Sequence, residues 1–210
     1  RETYPSEVTY ALQNLVDSHD TDRLVSKLHN PDRAYDSGNR EQEDQTYDGS
    51  KPPARAYQQA RLVALLQMTS PGAPMIYYGD EVGLWGSDDP NNRKPMLWKD
   101  LEPYEESGMA VMDDHLAFYQ AAVSLRNDFT ALRTGSIETI LTDDEQDVMA
   151  FVREDDANRL LVILNARDEA ANLSVPVDGE WERVFGTASG TPQDCTVQGI
   201  SGAVYLQSKP

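Results

Sequence analysis

Cysteine is nearly absent. Cys195 stands alone among 210 residues, which excludes an internal disulfide and any cysteine-rich metal site. No run of 18 apolar residues occurs, so no membrane-spanning helix is expected, and Arg1-Glu2-Thr3-Tyr4-Pro5 carries no leader-like apolar core. The compartment stays open. Positive charge is scarce, with 18 Lys and Arg against 36 Asp and Glu, and the net charge of −18 repels nucleic acid and anionic membranes. A neutral or cationic partner is left, and a neutral sugar fits, although the same charge also serves solubility. Histidine occurs only at 19, 29 and 115, in unrelated segments without ligand spacing, so His19, Asp20 and Asp22 are not expected to hold a metal. The 39% of hydrophobic residues is enough for a real core in one large or two small domains.

Periodicity divides the chain near Thr134-Gly135-Ser136. Before it, Tyr10 to Val16 reads as a buried strand ending at the polar cluster Asp17 to Arg23, which puts chemistry at the strand's C-terminal end. Residues 26–53 are polar and rich in turn signals, a length that suggests a lid or a mobile segment. Tyr57, Ala60, Ala64 and Met68 recur at helical spacing after Pro52-Pro53, and Pro71-Gly72 stops the helix. A second helix is expected over about Asp113 to Ala131, with Phe118, Ala122, Leu125 and Phe129 on one face. Strand, loop, helix and strand in that order imply parallel neighbours. After residue 135 short runs at 137–141, 148–152, 160–164, 173–177, 181–185 and 204–206 alternate with acidic or glycine turns and read as an antiparallel sandwich.

The most informative stretch is Gly72-Ala73-Pro74-Met75-Ile76-Tyr77-Tyr78-Gly79-Asp80-Glu81-Val82-Gly83-Leu84, followed by Asp89-Pro90-Asn91-Asn92-Arg93-Lys94-Pro95-Met96-Leu97-Trp98. An apolar run that breaks into glycine, acid and aromatic residues reads as a strand feeding a ligand-binding loop. It resembles the last barrel strand and following loop of glycoside hydrolase family 13, the alpha-amylase family, in its cyclomaltodextrinase and neopullulanase-like branch. Asn14-Leu15-Val16-Asp17-Ser18-His19-Asp20-Thr21-Asp22-Arg23 resembles the same family's motif at the end of the seventh strand. The resemblance implies an α/β part followed by an all-β part. Residues 1–134 would be the last part of a TIM (β/α)8 barrel, strands 7 and 8 with their helices, and residues 135–210 a C-terminal β-sandwich domain.

For the site, the resemblance implies a retaining glycosidase acting on starch-like or maltooligosaccharide alpha-glucans, with no cofactor. Asp20 takes the position of the transition-state stabiliser, His19 and Arg23 belong to the cleavage subsite, and Asp89 and Arg93 hold the next sugar. Chemically, an ionised acceptor beside an imidazole donor makes charge-assisted bonds that strengthen as the ring gains positive charge, and Arg with Asp suits vicinal hydroxyls. The alternatives are structural: Asp20 and Asp22 as turn caps paired by Arg23, and Asp89 with Arg93 as a surface ion pair of little energetic value. Glu81 is given a structural part. Tyr77 and Tyr78 are expected in the core with one ring facing each way, Trp98 in the core, and Trp85 either in the core or against a sugar.

The family's nucleophilic Asp, within a Gly-x-Arg-x-Asp motif, and its acid/base Glu have no counterpart in these residues. The chain therefore resembles the C-terminal part of an enzyme and is expected to be inactive alone. Its partners would be the substrate and either the remaining barrel or a second copy, paired through the exposed strand at Tyr10 to Val16. Two other readings use the same surface: a glucan transferase of this family and a non-catalytic carbohydrate-binding module.

Overall fold

A computed structural model describes residues 4–208, and the chain divides into two compact units. One comprises Arg1–Asn14, Leu62–Pro74 and Ala122–Pro210, and the other Leu15–Arg61 and Met75–Ala121.

The first unit is dominated by antiparallel sheet. Strands β3 (Ser136–Asp143), β4 (Val148–Glu154), β5 (Asn158–Asn165), β7 (Glu182–Gly186) and β10 (Ser201–Ser208) form one sheet in the order β3-β4-β5-β10-β7. β6 (Ala171–Leu173), β8 (Ala188–Thr191) and β9 (Asp194–Val197) form a second in the order β6-β9-β8. Alternate residues interlock between them: Val148, Ala150 and Val152 of β4, Leu161 and Ile163 of β5, Ala203 and Tyr205 of β10, and Cys195 and Val197 of β9 share one buried cluster with Trp181. That is the sandwich expected after residue 135. The opposite face of the large sheet is buried too, through Phe151, Leu160, Val162 and Val204. Strands covered on both faces read as continuous apolar runs rather than alternating ones, as Val148–Val152 and Leu160–Leu164 do.

Some element bounds differ from expectation, for local reasons. The run 173–177 is regular strand only at Leu173; beyond it Val175 still donates to the Pro192 carbonyl at 2.9 Å, and Pro176 has no amide hydrogen to carry the ladder further. β8 and β9 escaped the sequence pattern because Ala-Ser-Gly-Thr and Asp-Cys-Thr-Val are too short and too polar to show a period. Tyr10 to Val16 is not a strand throughout: Tyr10 and Ala11 close helix α1 (Ser6–Ala11), and only β1 (Gln13–Asn14) joins a ladder. Its partner β2 (Ala73–Pro74) runs parallel, with Gln13 opposite Ala73 and Asn14 opposite Pro74. The ladder ends at Pro74, which offers no donor. Gly72, at φ 107°, allows the approach, since a side chain there would meet the Leu12 carbonyl. Gln67 Nε2 donates to the Asn14 carbonyl at 2.8 Å and Asn14 Nδ2 to that of Gln67 at 3.3 Å, which tie the pair to helix α3 (Ala54–Thr69).

Helix α4 (Asp113–Asp128) stops short of Ala131, because Phe129 turns extended before helix α5 (Thr130–Thr134) begins. The buried stripe of α4 is His115, Tyr119, Ala122 and Leu125, so the inward face is turned one residue from the expected Phe118 and Phe129. Two arginines satisfy the helix ends of this unit. Arg126 donates to the carbonyls of Met68 at 2.7 Å, Ser70 at 2.9 Å, Leu132 at 2.9 Å and Gly72 at 2.5 Å. Arg153, fully buried, donates to Thr69, to Leu132 at 2.9 Å, to Gly135 at 3.1 Å and to Ser136 at 3.0 Å. Carbonyls left over at helix C-termini need such donors, and a cation suits the negative end of the helix dipole.

The second unit has few regular elements: α2 (Leu24–His29), parts of α3 and α4, and single 3-10 turns at Asp80–Val82, Asn91–Arg93 and Lys99–Leu101. Small clusters hold it, one of Val25, Ala56, Tyr57 and Trp85, another of Val82, Leu84 and Leu97. Trp85 is therefore a core residue. Trp98, expected inside, is 56% exposed, and its backbone rather than its ring is engaged, by the Tyr104 hydroxyl.

Replacing Arg153 by Met should lower the unfolding free energy by about 3 kcal/mol, since the Thr69 carbonyl would be buried without that donor. Arg153→Lys should fall between, because an ammonium cannot reach four acceptors arranged around a planar fork. Urea unfolding curves of the three proteins check the order.

Candidate functional site

Every residue named as a site candidate lies in the second unit, on two stretches, 17–23 just before α2 and 77–93, with residues 39–50 bonded to both. The 17–23 stretch is a compact turn. Ser18 receives the Asp20 amide on its hydroxyl at 3.1 Å, and its own amide donates to the Thr21 hydroxyl at 3.2 Å. The turn throws His19 and Asp20 outward, with side chains 65% and 68% exposed and His19 Nε2 3.2 Å from Asp20 Oδ1.

Arg93 stands between the two candidate carboxylates. Its Nε lies 3.4 Å from Asp89 Oδ1 and its Nη2 3.9 Å from Asp20 Oδ1, while Nε also donates to the His19 carbonyl at 3.2 Å. His19, Asp20, Asp89 and Arg93 thus share one open surface. Acceptors alternate with donors there, the pattern that neighbouring hydroxyls of a sugar require.

Arg23, expected with them, is instead fully buried. Its Nη1 donates to Asp80 Oδ1 at 2.9 Å and to the Tyr78 carbonyl at 2.8 Å, and its guanidinium lies 4.6 Å and 4.9 Å from the ring centres of Tyr77 and Tyr78. It therefore fixes the floor of the site rather than presenting a donor at its surface. Tyr77 and Tyr78 do not face opposite ways: their rings meet edge to face, 4.8 Å apart, over the same cation. Strand alternation fails because residues 75–78 carry no ladder and the chain turns at Gly79, φ 92°. Glu81 accepts from the Gly79 amide at 2.8 Å, a structural part.

Beneath the surface a second set of acids is enclosed. Asp17 Oδ2 accepts from the Leu24 amide at 2.7 Å and so caps the start of α2, while Oδ1 has no partner. Burial first, then the neighbouring Asp17, holds the Asp80 carboxyl well above its usual range despite Arg23. Burial likewise raises Asp17, against hydrogen bonding and Arg23. The pair shares one cation, so a proton retained between them relieves the repulsion. His115, buried against Tyr57 and Tyr119, is pushed down to about 4, chiefly by burial and next by Arg61.

Of residues 26–53, expected to be a lid or mobile segment, 26–29 belong to α2 and 30–53 are pinned. Tyr47 Oη donates to Asp22 Oδ2 at 3.0 Å, Asn39 receives the Asp88 amide at 2.8 Å, and Arg40 Nε lies 2.7 Å from Asp88 Oδ2. Glu41 accepts from the Ser87 hydroxyl at 2.9 Å. Burial raises Asp22, partly offset by Lys27. Asp44 and Asp48 are both held down to about 2, Asp44 first by the Thr46 side chain and then by Arg33, Asp48 first by Ser50. Asp17, Arg40, Asp88 and Asn92 were missed by sequence reasoning, because their partners are distant along the chain or lie on backbone and leave no spacing signal. Among the described residues no group of three or more His, Cys, Asp or Glu is placed to hold a metal.

Residues 137–196 match the family described as Maltogenic Amylase, C-terminal domain. The chain is 30% identical over 181 residues to the cyclomaltodextrinase of Geobacillus thermopakistaniensis, covering 85% of this chain and 25% of that protein. The chain belongs to glycoside hydrolase family 13. It falls in the cyclomaltodextrinase and neopullulanase-like branch and corresponds to a C-terminal part. Neopullulanase 2 of Thermoactinomyces vulgaris is 31% identical over 181 residues, again 85% of this chain and 25% of its own. Among solved structures, a cyclomaltodextrinase superposes with a TM-score of 0.68 at 31% identity, covering 96% of this chain and 30% of that one. The type III pullulan hydrolase from Thermococcus kodakarensis gives 0.72 at 27%, covering 98% and 30%. The chain spans about a quarter of the length of each of these two curated relatives.

The enclosed histidine sets a sign for acid stability. Its folded value of about 4 lies below the usual 6.5, so the fold holds it neutral; the contribution is complete above 6.5 and is lost as pH falls towards 4. His115→Phe keeps the ring packing and should remove that loss, on the order of 3 kcal/mol at full extent. Asp17→Asn acts oppositely: a raised acid favours the fold at low pH, and its removal should lessen the decline as pH rises above about 3.8. Melting temperatures of the three proteins between pH 4 and 7 separate the two effects.

Proposed function

We propose that the full-length protein carrying this chain is a retaining alpha-glucan hydrolase acting on starch-like or maltooligosaccharide substrates. Residues 1–134 supply the last part of its (β/α)8 barrel, strands 7 and 8 with their helices, and residues 135–210 its C-terminal β-sandwich. The observation that carries this reading is the convergence of His19, Asp20, Asp89 and Arg93 on one exposed surface, Arg93 lying 3.9 Å from Asp20 and 3.4 Å from Asp89. The names of the similar proteins, cyclomaltodextrinase and neopullulanase, support the substrate class.

Asp20 accepts hydrogen bonds from hydroxyls of the sugar at the cleaved bond, and these strengthen as the ring becomes oxocarbenium-like. His19 donates to the same sugar. Arg93 and Asp89 bind the adjacent unit, and Arg23 belongs to the cleavage subsite as the buried support of its floor. The nucleophile and the acid/base come from the part of the protein outside this chain. The exposed apolar side chains of Val8, Leu12 and Leu15 near β1 support a contact with the other barrel strands or with a second copy.

This chain alone should release no reducing sugar from maltoheptaose. In the full-length enzyme Asp20→Asn should lower kcat by about a hundredfold or more with KM little changed, because the lost bonds form mainly in the transition state. Arg93→Ala should raise KM for maltoheptaose more than for maltotriose. Equal changes in kcat and KM at all chain lengths for both variants would sink the assignment of separate subsites.

A further inference from the structure

Asn92 is fully buried, in the single turn Asn91–Arg93, and its side chain points only its donor end at neighbours. Nδ2 donates to the His19 carbonyl at 2.9 Å and to the Thr21 carbonyl at 2.8 Å, with Asp88 Oδ1 at 3.4 Å. All three are acceptors, so the amide cannot be turned round without setting oxygen against oxygen. Its own Oδ1 is buried without a partner, a cost that packing alone would not call for.

The two carbonyls flank Asp20 on either side. Asp20 is 68% exposed, and within the turn it is held by its amide, which donates to the Ser18 hydroxyl, and by His19 Nε2, 3.2 Å from its carboxylate. Whatever fixes residues 19 and 21 therefore fixes the direction of the Asp20 side chain. Arg93, next along the chain, reaches the same His19 carbonyl and both candidate carboxylates.

We propose that Asn92 is a positioning residue of the candidate site: by clamping the carbonyls of His19 and Thr21 it sets the direction of Asp20 and its register against Arg93 and Asp89. The proposal rests on the functional reading above. A side chain of this length must supply two N–H donors to two carbonyls, which serine and aspartate cannot do.

The test uses the full-length enzyme with maltoheptaose. Asn92→Asp keeps the shape but turns the donor into an acceptor facing two carbonyls and Asp88. A protonated acid at that position regains one donor. The ionisable groups gathered around it are Asp88 with its partner Arg40, Arg93, and His19 with Asp20. The expected result is a kcat lowered by about tenfold to a hundredfold at neutral pH, at a melting temperature near that of the parent, with the ratio to parent kcat recovering as pH falls. Asn92→Ala, uncharged, should lower kcat without the pH recovery. A ratio that is flat with pH and close to one would overturn the proposal. So would both variants failing to fold, since that makes Asn92 a residue of the fold as a whole. Asp20→Asn is measured alongside: if it leaves kcat unchanged the functional reading fails, and if it lowers kcat while the Asn92 variants do not, only the present inference fails.

Discussion

The second unit depends on one buried cation. Arg23 is fully buried, and its charge is met by Asp80, by the Tyr78 carbonyl and by two aromatic faces. Its backbone amide also donates to the Gly86 carbonyl at 3.0 Å, so a single residue ties the turn before α2 to both ends of the 78–86 stretch. A guanidinium stripped of solvent is held only where its partners are fixed. The tyrosines, Gly79 and the loop beyond are consequently set by where Arg23 sits, and the exposed residues stand on that base.

Acids in this unit divide by depth. Asp17, Asp22 and Asp80 are enclosed, and burial raises all three; they organise helix α2, the 30–53 segment and the arginine. Asp20 and Asp89 stand in the open, each within reach of Arg93. Chemically identical groups thus serve as framework and as surface. The strong overall acidity supplies many carboxylates, and depth decides which of them build and which are free to meet a ligand.

That division was only partly legible beforehand. The α3 stripe of Tyr57, Ala60, Ala64 and Met68 and the runs of β3, β4 and β5 were readable because helix and sheet periods are local. The motif residues His19, Asp20, Asp89 and Arg93 were readable as a group only through likeness to a family. Arg23 looked like their equal in sequence, since nothing in Thr21-Asp22-Arg23 says that the third residue turns inward beneath two rings. Tyr10 to Val16 failed differently: apolar content suggested a strand, but a ladder forms only where a neighbour offers both donor and acceptor, and Pro74 ended it after two residues. Trp98 failed because a large apolar side chain says nothing by itself about burial.

The contacts that shape the surface cross long stretches of chain. Asn92 and the His19 carbonyl are 73 positions apart, and Arg23 and Asp80 are 57. A ribosome adding about 5–20 residues per second needs about 4–15 seconds to pass from His19 to Asn92. Throughout that interval the turn at residues 17–23 is already made but has none of its distant partners, its arginine and carbonyls bonded to water. Assembly of this surface is therefore gated by synthesis of the 78–93 stretch, and a pause in translation before residue 78 prolongs the exposure of every group that the finished fold conceals.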